Sequence, residues 1–114
     1  MKLKKFLEEH NIEAMLISSK YSLRYFTGFT GTTGIALAFA EKRFFFTDFR
    51  YVTQAKKEVE PNGFTVVKVE RGAVDALAEY IKNSGIKKLG IEDKYVTLAE
   101  YVVYKEKFEG ILFV

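Results

Sequence analysis

The chain lacks cysteine and tryptophan altogether, and it has a single histidine and a single proline. Without cysteine, no disulfide framework, thiolate nucleophile or cysteine-ligated metal centre is possible. His10 has no second histidine with which to build a metal site, and nothing in the sequence places a serine and an acid beside it for a nucleophilic triad. We therefore expect no chemistry at His10, which falls in the last turn of a predicted helix.

Long apolar runs and concentrated charge are also missing. No run approaches the roughly 18 residues of a membrane-spanning helix, and the N-terminus has no signal-peptide core of about 7–15 apolar residues. With the lack of cysteine, these absences predict a cytoplasmic protein. The net charge is +3, with lysines scattered and mostly near an acid. A nucleic-acid interface needs basic residues concentrated on one face, so we expect no nucleic-acid partner. The lack of a long apolar run leads us to expect no membrane partner.

Apolar side chains are abundant, since 48% of the 114 residues are hydrophobic and 16% are aromatic. That is enough for a single domain with one core. Apolar periodicity and turn residues predict the element order α-β-α-β-β-α-β-α-β-α-β. The predicted strands are residues 14–17, 35–40, 43–47, 64–69, 89–92 and 111–114. The second and third form a hairpin, so we expect a three-layer α/β/α domain whose mixed sheet of five to six strands has one antiparallel member.

The fifth predicted helix has an explicit start signal. Thr97 and Glu100 have the spacing of a capping box. The helix should therefore begin at Leu98, and Gly110 should end it. Its inner side is expected to hold Leu98, Tyr101, Val102 and Phe108.

Three glycines, Gly28, Gly31 and Gly34, punctuate the loop between the second helix and the second strand. Their spacing is not that of a dinucleotide- or phosphate-binding motif. Such motifs lead into a helix N-terminus, whereas this loop leaves a helix and enters a strand. The loop is interpreted as a tight helix-to-strand connection. Presentation of its backbone to a partner or substrate stays open as an alternative.

A compact polar and aromatic cluster, residues 48–51, follows the hairpin. Asp48 is predicted to be the N-cap of the third helix, which runs to about Glu60. Arg50 would then lie in the first helical turn, where the helix dipole disfavours a cation. Two interpretations are open: Arg50 pairs with Asp48 or another carboxylate and is solvated, or it faces a ligand or an interface.

Glu92 and Asp93 lie at the end of the predicted strand 89–92. Paired carboxylates at a strand end can bind Mg²⁺ or act in acid–base chemistry. A two-metal nuclease would need further acids on neighbouring strands, and the first strand offers none. The favoured interpretation is a pair of exposed acids in a turn.

Two motifs resemble the creatinase/prolidase/Xaa-Pro aminopeptidase family. Residues 24–31, RYFTGFTG, resemble the stretch R-Y-L-T-G-F-x-G of that family. Residues 46–51, FTDFRY, followed by Gln54 and Ala55, resemble L-T-D-G-R-Y…Q-A, with Phe49 where the family usually has glycine. The resemblance covers nearly the whole chain. It implies that residues 1–114 are a single N-terminal domain of ribonuclease-H-like topology.

The resemblance places catalysis in a separate C-terminal "pita-bread" domain beyond Val114. There, two Asp, one His and two Glu would bind two divalent ions, Mn, Co or Zn. It implies no catalytic or metal-binding residue and no cofactor in this chain. The N-terminal domain would help to form a homodimer, contact the catalytic domain and restrict the cleft to short proline-containing peptides. By position, the residues facing that cleft or interface would be Phe29, Thr30, Asp48, Arg50 and Tyr51.

Two alternatives stay open. The first is a protein-binding module from a catalytically inactive relative, similar to the histone-chaperone subunits that resemble this family. The second is a free-standing nuclease or nucleotide-binding domain, which the missing acids and missing phosphate loop disfavour.

Overall fold

The computed structural model describes residues 2–31, 33–70, 72–92 and 94–113, without the side chains of Lys2 and Leu3. Its helices are α1 (Lys2–Glu9), α2 (Lys20–Thr27), α3 (Val52–Val59), α4 (Val74–Ser84) and α5 (Leu98–Lys107). Its strands are β1 (Ala14–Ile17), β2 (Ile35–Phe39), β3 (Arg43–Thr47), β4 (Thr65–Lys68), β5 (Lys88–Gly90) and β6 (Leu112–Phe113). A 3₁₀ turn, Glu60–Asn62, follows α3. The predicted element order is confirmed, although Val114, predicted to end the last strand, lies outside the described residues.

The strands form a mixed sheet in the order β4-β3-β2-β1-β5-β6. β2 runs antiparallel to both of its neighbours, β1 and β3. The pairs β3–β4, β1–β5 and β5–β6 are parallel. The prediction of a mixed sheet with one antiparallel strand from the hairpin is therefore confirmed.

Helices cover both faces of this sheet. On one face, α1, α2 and α3 contribute Leu7, Leu23 and Val59 to a buried cluster. On the other face, α4 and α5 contribute a second cluster with Leu77, Ile81, Tyr104 and Phe108. Alternate residues of β1, β2, β3 and β4 enter opposite clusters because side chains alternate along a strand. The predicted three layers are confirmed.

The inner side of α5 differs from the prediction. Thr97 and Glu100 form the predicted capping box, but Leu98 is 79% exposed and Val102 is 48% exposed. The buried residues are Tyr104 and Phe108, whose rings stack with centroids 5.3 Å apart. Tyr104 and Phe108 lie one helical turn apart, and the side of the helix that carries them faces the sheet. Leu98 and Val102 lie beside this buried stripe and not in it. The sequence prediction for those two residues was wrong.

Candidate functional site

The candidate site lies at one edge of the sheet, where the parallel strands β1, β3, β4 and β5 end. The antiparallel strand β2 begins at the same edge, so the glycine-spaced loop 28–34 enters the sheet there. Turn 48–51 follows β3 at this edge, and Glu92 follows β5. The fold thus brings together the three stretches that the sequence singled out. In open α/β sheets this carboxyl edge is where ligands bind.

Loop 28–34 is anchored in the core by Phe29. Gly28 adopts a left-handed conformation (φ 85°) and its N–H donates to Arg24 O, which ends α2. The next residue, Phe29, is only 2% exposed, and its ring lies 4.6 Å from that of Phe45. Gly31 packs so closely over Phe29 that a Cβ there would lie 2.5 Å from Cζ of the ring. The tight-connection interpretation of the loop therefore describes its structure.

A hydrogen-bonded bridge ties the same loop to α3. Thr30 donates its backbone N–H to Glu58 Oε1 (2.9 Å) and its hydroxyl to Glu58 Oε2 (2.8 Å). Gln54 Nε2 lies 3.3 Å from both Thr30 Oγ1 and Glu58 Oε1. The N–H of Thr30 is the main reason that the pKa of Glu58 lies below its ordinary value. The loop thus presents an ordered, exposed Thr30 at the edge.

Turn 48–51 is closed by a bidentate ion pair. Arg50 donates from Nε to Asp48 Oδ1 (3.1 Å) and from Nη2 to Asp48 Oδ2 (2.8 Å). Asp48 Oδ1 also accepts the backbone N–H of Arg50 (2.9 Å). The Arg50 hydrogen bond is the main cause that lowers the pKa of Asp48, and the same bond raises the pKa of Arg50.

This geometry corrects the predicted start of α3. Asp48 was expected to be the N-cap, but the helix begins at Val52 after Tyr51, which makes no side-chain cap. Asp48 instead caps its own turn, because an aspartate can bond the backbone two residues on in place of a helix end. Arg50 therefore precedes the helix and pairs with Asp48, as one of the two interpretations held. Contact between Arg50 and a ligand stays a prediction.

The five predicted site residues do not all face outward. Phe29 is a core residue, so its predicted cleft-facing position is wrong. The spacing of the loop carries no periodicity that would have shown its direction. Thr30, Arg50 and half-buried Asp48 reach the surface. Tyr51 is half-buried, with its ring 6.3 Å from that of Phe29 and 5.4 Å from Arg50 Cζ.

One exposed residue at this edge was missed. Phe49, between Asp48 and Arg50, is 73% exposed. Single exposed apolar side chains are common on protein surfaces, so the exposure of Phe49 matters here only because it lies in turn 48–51, between two predicted site residues. The available signal was its position in the FTDFRY motif, where the family usually has glycine.

Glu92 also differs from its prediction. It was interpreted as an exposed turn acid, but it is half-buried and accepts hydrogen bonds from Ser18 and Ser19. Burial alone would raise the pKa of Glu92, yet these hydrogen bonds outweigh it and hold the pKa below its ordinary value. Asp93, its predicted partner in a carboxylate pair, lies outside the described residues. The seryl amides that hold Glu92 are more than 70 positions away in sequence, so no local pattern could reveal them.

The described ranges show neither a metal-binding cluster nor a helix that could cross a bilayer. No group of three His, Asp or Glu side chains in those ranges could hold a metal ion. His10 lies just beyond α1, with its ring 4.3 Å from that of Phe6. Within the same ranges, each helix falls short of the length and apolarity needed to cross a bilayer.

Known proteins resemble both this sequence and this fold. The chain is 38% identical over 103 residues to the uncharacterized peptidase YqhT of Bacillus subtilis, covering 90% of this chain and 29% of YqhT. Among solved structures, a Xaa-Pro dipeptidase from Bacillus anthracis is 34% identical with a TM-score of 0.90, covering 99% of this chain and 31% of that one. The N-terminal domain of the cytoplasmic peptidase PepQ from Mycobacterium tuberculosis is 32% identical with a TM-score of 0.86, covering 99% and 88%.

The chain thus spans about a third of the Bacillus anthracis dipeptidase, but most of the isolated PepQ domain. A model of the Creatinase/Prolidase N-terminal domain matches residues 1–114 in full. The matched residues include both motifs. The first, residues 24–31, enters the glycine-spaced loop, and the second, residues 46–51, contains turn 48–51. The chain therefore belongs to the Creatinase/Prolidase N-terminal domain family.

Proposed function

We propose that this domain is the non-catalytic N-terminal part of a Xaa-Pro peptidase, a dipeptidase or an aminopeptidase. The observation that carries the proposal is the match of the family model to residues 1–114. Solved relatives that bear these activities in their names, such as the Bacillus anthracis dipeptidase, support it. In this division of labour, the domain contributes to a homodimer and narrows the entrance of the active-site cleft.

The carboxyl edge of the sheet supplies the side chains for the narrowing. Thr30, Phe49 and Arg50 are exposed there, and hydrogen bonds hold Thr30 and Arg50 in place. A rim held in this way keeps its shape, so a bulky substrate cannot displace it. A short peptide binds without the free-energy cost of ordering the rim. We assign Thr30, Asp48, Arg50 and Tyr51 to the rim, with Phe49 as its apolar contact.

Peptide hydrolysis itself belongs to the catalytic domain of the longer protein. Two divalent ions held there, Mn, Co or Zn, would polarise the scissile carbonyl and activate water. The residues of this chain act by binding, orienting and excluding. A cytoplasmic location fits this proposal, because the related PepQ is described as a cytoplasmic peptidase.

The test compares this chain with the full-length protein that carries it. Both are loaded with Mn²⁺ and offered a Xaa-Pro dipeptide and a longer proline-containing peptide, and product release is followed by chromatography. We expect the full-length protein to cleave the shorter peptide preferentially and residues 1–114 alone to cleave neither. Hydrolysis by the isolated chain would refute the non-catalytic role. A full-length protein inactive with Mn²⁺, Co²⁺ and Zn²⁺ would favour the binding module from an inactive relative.

Dimerisation is tested separately by analytical ultracentrifugation of the full-length protein. We expect a concentration-dependent dimer that dissociates more readily when Phe49 or Arg50 is replaced by alanine. A strictly monomeric full-length protein would remove the homodimer from the proposal and leave the restricted cleft standing.

A further inference from the structure

The point between β1 and β5 is the topological switch point of the sheet. The two strands are parallel neighbours. The helix after β1 is α2, which packs on the face shared with α1 and α3. The helix after β5 is α5, which packs on the opposite face. In doubly wound sheets, the crevice at such a point is where an anionic ligand binds, commonly at the N-terminus of a helix.

In this protein the crevice already contains an anion, the carboxylate of Glu92. Its Oε1 accepts the backbone N–H groups of Ser18 (2.8 Å) and Ser19 (2.9 Å). Its Oε2 accepts the Ser19 hydroxyl (2.9 Å). Ser19 is the N-cap of α2, and its Oγ accepts the N–H of Ser22 (3.1 Å). One carboxylate from the end of β5 thus satisfies donors at the end of β1 and at the start of α2.

These contacts are those that a protein makes to a bound anion. Backbone N–H groups at a helix N-terminus carry partial positive charge and favour a negative partner. Hydrogen bonds to an ionised acceptor are about twice as strong as neutral ones. Ser19 is 7% exposed, so its backbone N–H and its hydroxyl, two of the three donors that Glu92 satisfies, have little access to water. Losing the carboxylate would leave them unpaired.

We propose that the switch-point crevice is a carboxylate-binding site whose ligand is the chain's own Glu92. Glu92 thereby closes the crevice to external anions, including the phosphate of a nucleotide. It also locks α2 onto the end of β5. This inference is independent of the proposed peptidase function.

Glu13 provides a matched comparison at the other end of the same strand pair. Its Oε1 accepts the backbone N–H groups of Lys87 (3.0 Å) and Lys88 (3.1 Å). Both glutamates therefore bridge β1 and β5 through two amides. Glu13 differs in that it is exposed, touches no helix N-terminus and bonds no serine hydroxyl in its described contacts.

The experiment replaces the carboxylate and then returns it in solution. Thermal unfolding of residues 1–114 is followed for the wild type, Glu92→Ala and Glu13→Ala, in sodium formate and in sodium chloride of equal concentration. We expect Glu92→Ala to lower the midpoint by about 10 °C and Glu13→Ala by a few degrees at most. Formate at about 0.5 M should bind the vacated site and restore about half of the midpoint that Glu92→Ala loses. The wild type and Glu13→Ala should have the same midpoint in formate as in chloride.

Equal effects of formate and chloride on Glu92→Ala would overturn the proposal, as would equal recovery of Glu13→Ala. A midpoint of the wild type that rises with a few millimolar inorganic phosphate, too little for a general salt effect, beyond chloride of equal ionic strength would show that the crevice is open, and would overturn the proposal too.

Glu92→Gln gives a second measurement if the alanine variant fails to fold, because it keeps the shape of the side chain. Amide hydrogen exchange at Ser18, Ser19 and Ser22 should be at least tenfold faster in Glu92→Gln than in the wild type, while exchange at Lys87 and Lys88 stays unchanged. Unaltered exchange at the serines would contradict an anion site.

Discussion

Replacing Phe29 with alanine tests whether the glycine-spaced loop is anchored in the core or faces a ligand. The side chain is 2% exposed and packs against Phe45, which is fully buried. Phe49 offers a matched control, because it is the same residue type at the same edge but is 73% exposed. The two substitutions remove the same atoms from very different surroundings.

The expected magnitude follows from burial. Truncation of a buried phenylalanine to alanine costs about 3–5 kcal/mol, through lost transfer free energy and the cavity that is left. A domain of 114 residues has about 6–17 kcal/mol of stability in total. Phe29→Ala should therefore leave a folded but weakened domain, whereas Phe49→Ala should change the free energy of unfolding by no more than about 0.5 kcal/mol.

Urea denaturation followed by circular dichroism measures both changes. The free energy of unfolding should fall by about 1.5 kcal/mol per molar urea. Phe29→Ala should therefore lower the midpoint of unfolding by about 2–3 M and leave this dependence on urea unchanged. The Phe49→Ala midpoint should stay within about 0.3 M of the wild type. If Phe29→Ala were no more destabilising than Phe49→Ala, the loop would not be anchored through Phe29 and our description of the site would be wrong.

Three further predictions concern the same edge of the sheet. Because hydrogen bonds hold the pKa of Glu92 below its ordinary 4.5 despite burial, its stabilising contribution is complete above pH 4.5 and is lost as the pH falls through the lower folded value. The difference in unfolding free energy between wild type and Glu92→Gln should therefore shrink in acid, and a difference constant with pH would contradict this. Glu58→Gln should raise the amide exchange rate of Thr30 more than that of Phe29, as measured by NMR. Gly34→Ala should cost about 1–3 kcal/mol in urea denaturation, since the added Cβ would overlap the buried ring of Phe45; a neutral result would show that the ring can move aside.

The fold was predictable because its elements carry local signals. The continuous apolar run of β1 indicates a strand covered on both faces, and both of its faces are buried. Gly28 and Gly85 end α2 and α4 in the left-handed conformation that glycine favours. The capping box before α5 fixed the start of that helix. Each of these signals lies within a few residues of the structure that it specifies.

The candidate site was predicted less well because its interactions are either non-local or compete with a local rule. The partners of Glu92 lie on α2 and at the end of β1, far away in sequence. Asp48 had two local options, a helix N-cap and a cap of its own turn, and the pairing with Arg50 favours the second. The direction of Phe29 depended on the space beside Phe45, which only the packed structure reveals.

We propose that the carboxyl edge of this domain restricts the substrates of a Xaa-Pro peptidase. The most direct measurement is steady-state hydrolysis by the full-length protein and two of its variants, Arg50→Ala and Lys57→Ala. Arg50 lies at the proposed rim, whereas Lys57 is an exposed cation on α3. Substrates are a Xaa-Pro dipeptide and a longer proline-containing peptide.

We predict that Arg50→Ala raises KM for the dipeptide by about threefold to tenfold with little change in kcat, the signature of lost uniform binding. Arg50→Ala should also lower the ratio of kcat/KM for the dipeptide to kcat/KM for the longer peptide. Lys57→Ala should change neither KM nor this ratio. Equal and negligible effects of the two substitutions on KM and on peptide-length preference would contradict the account.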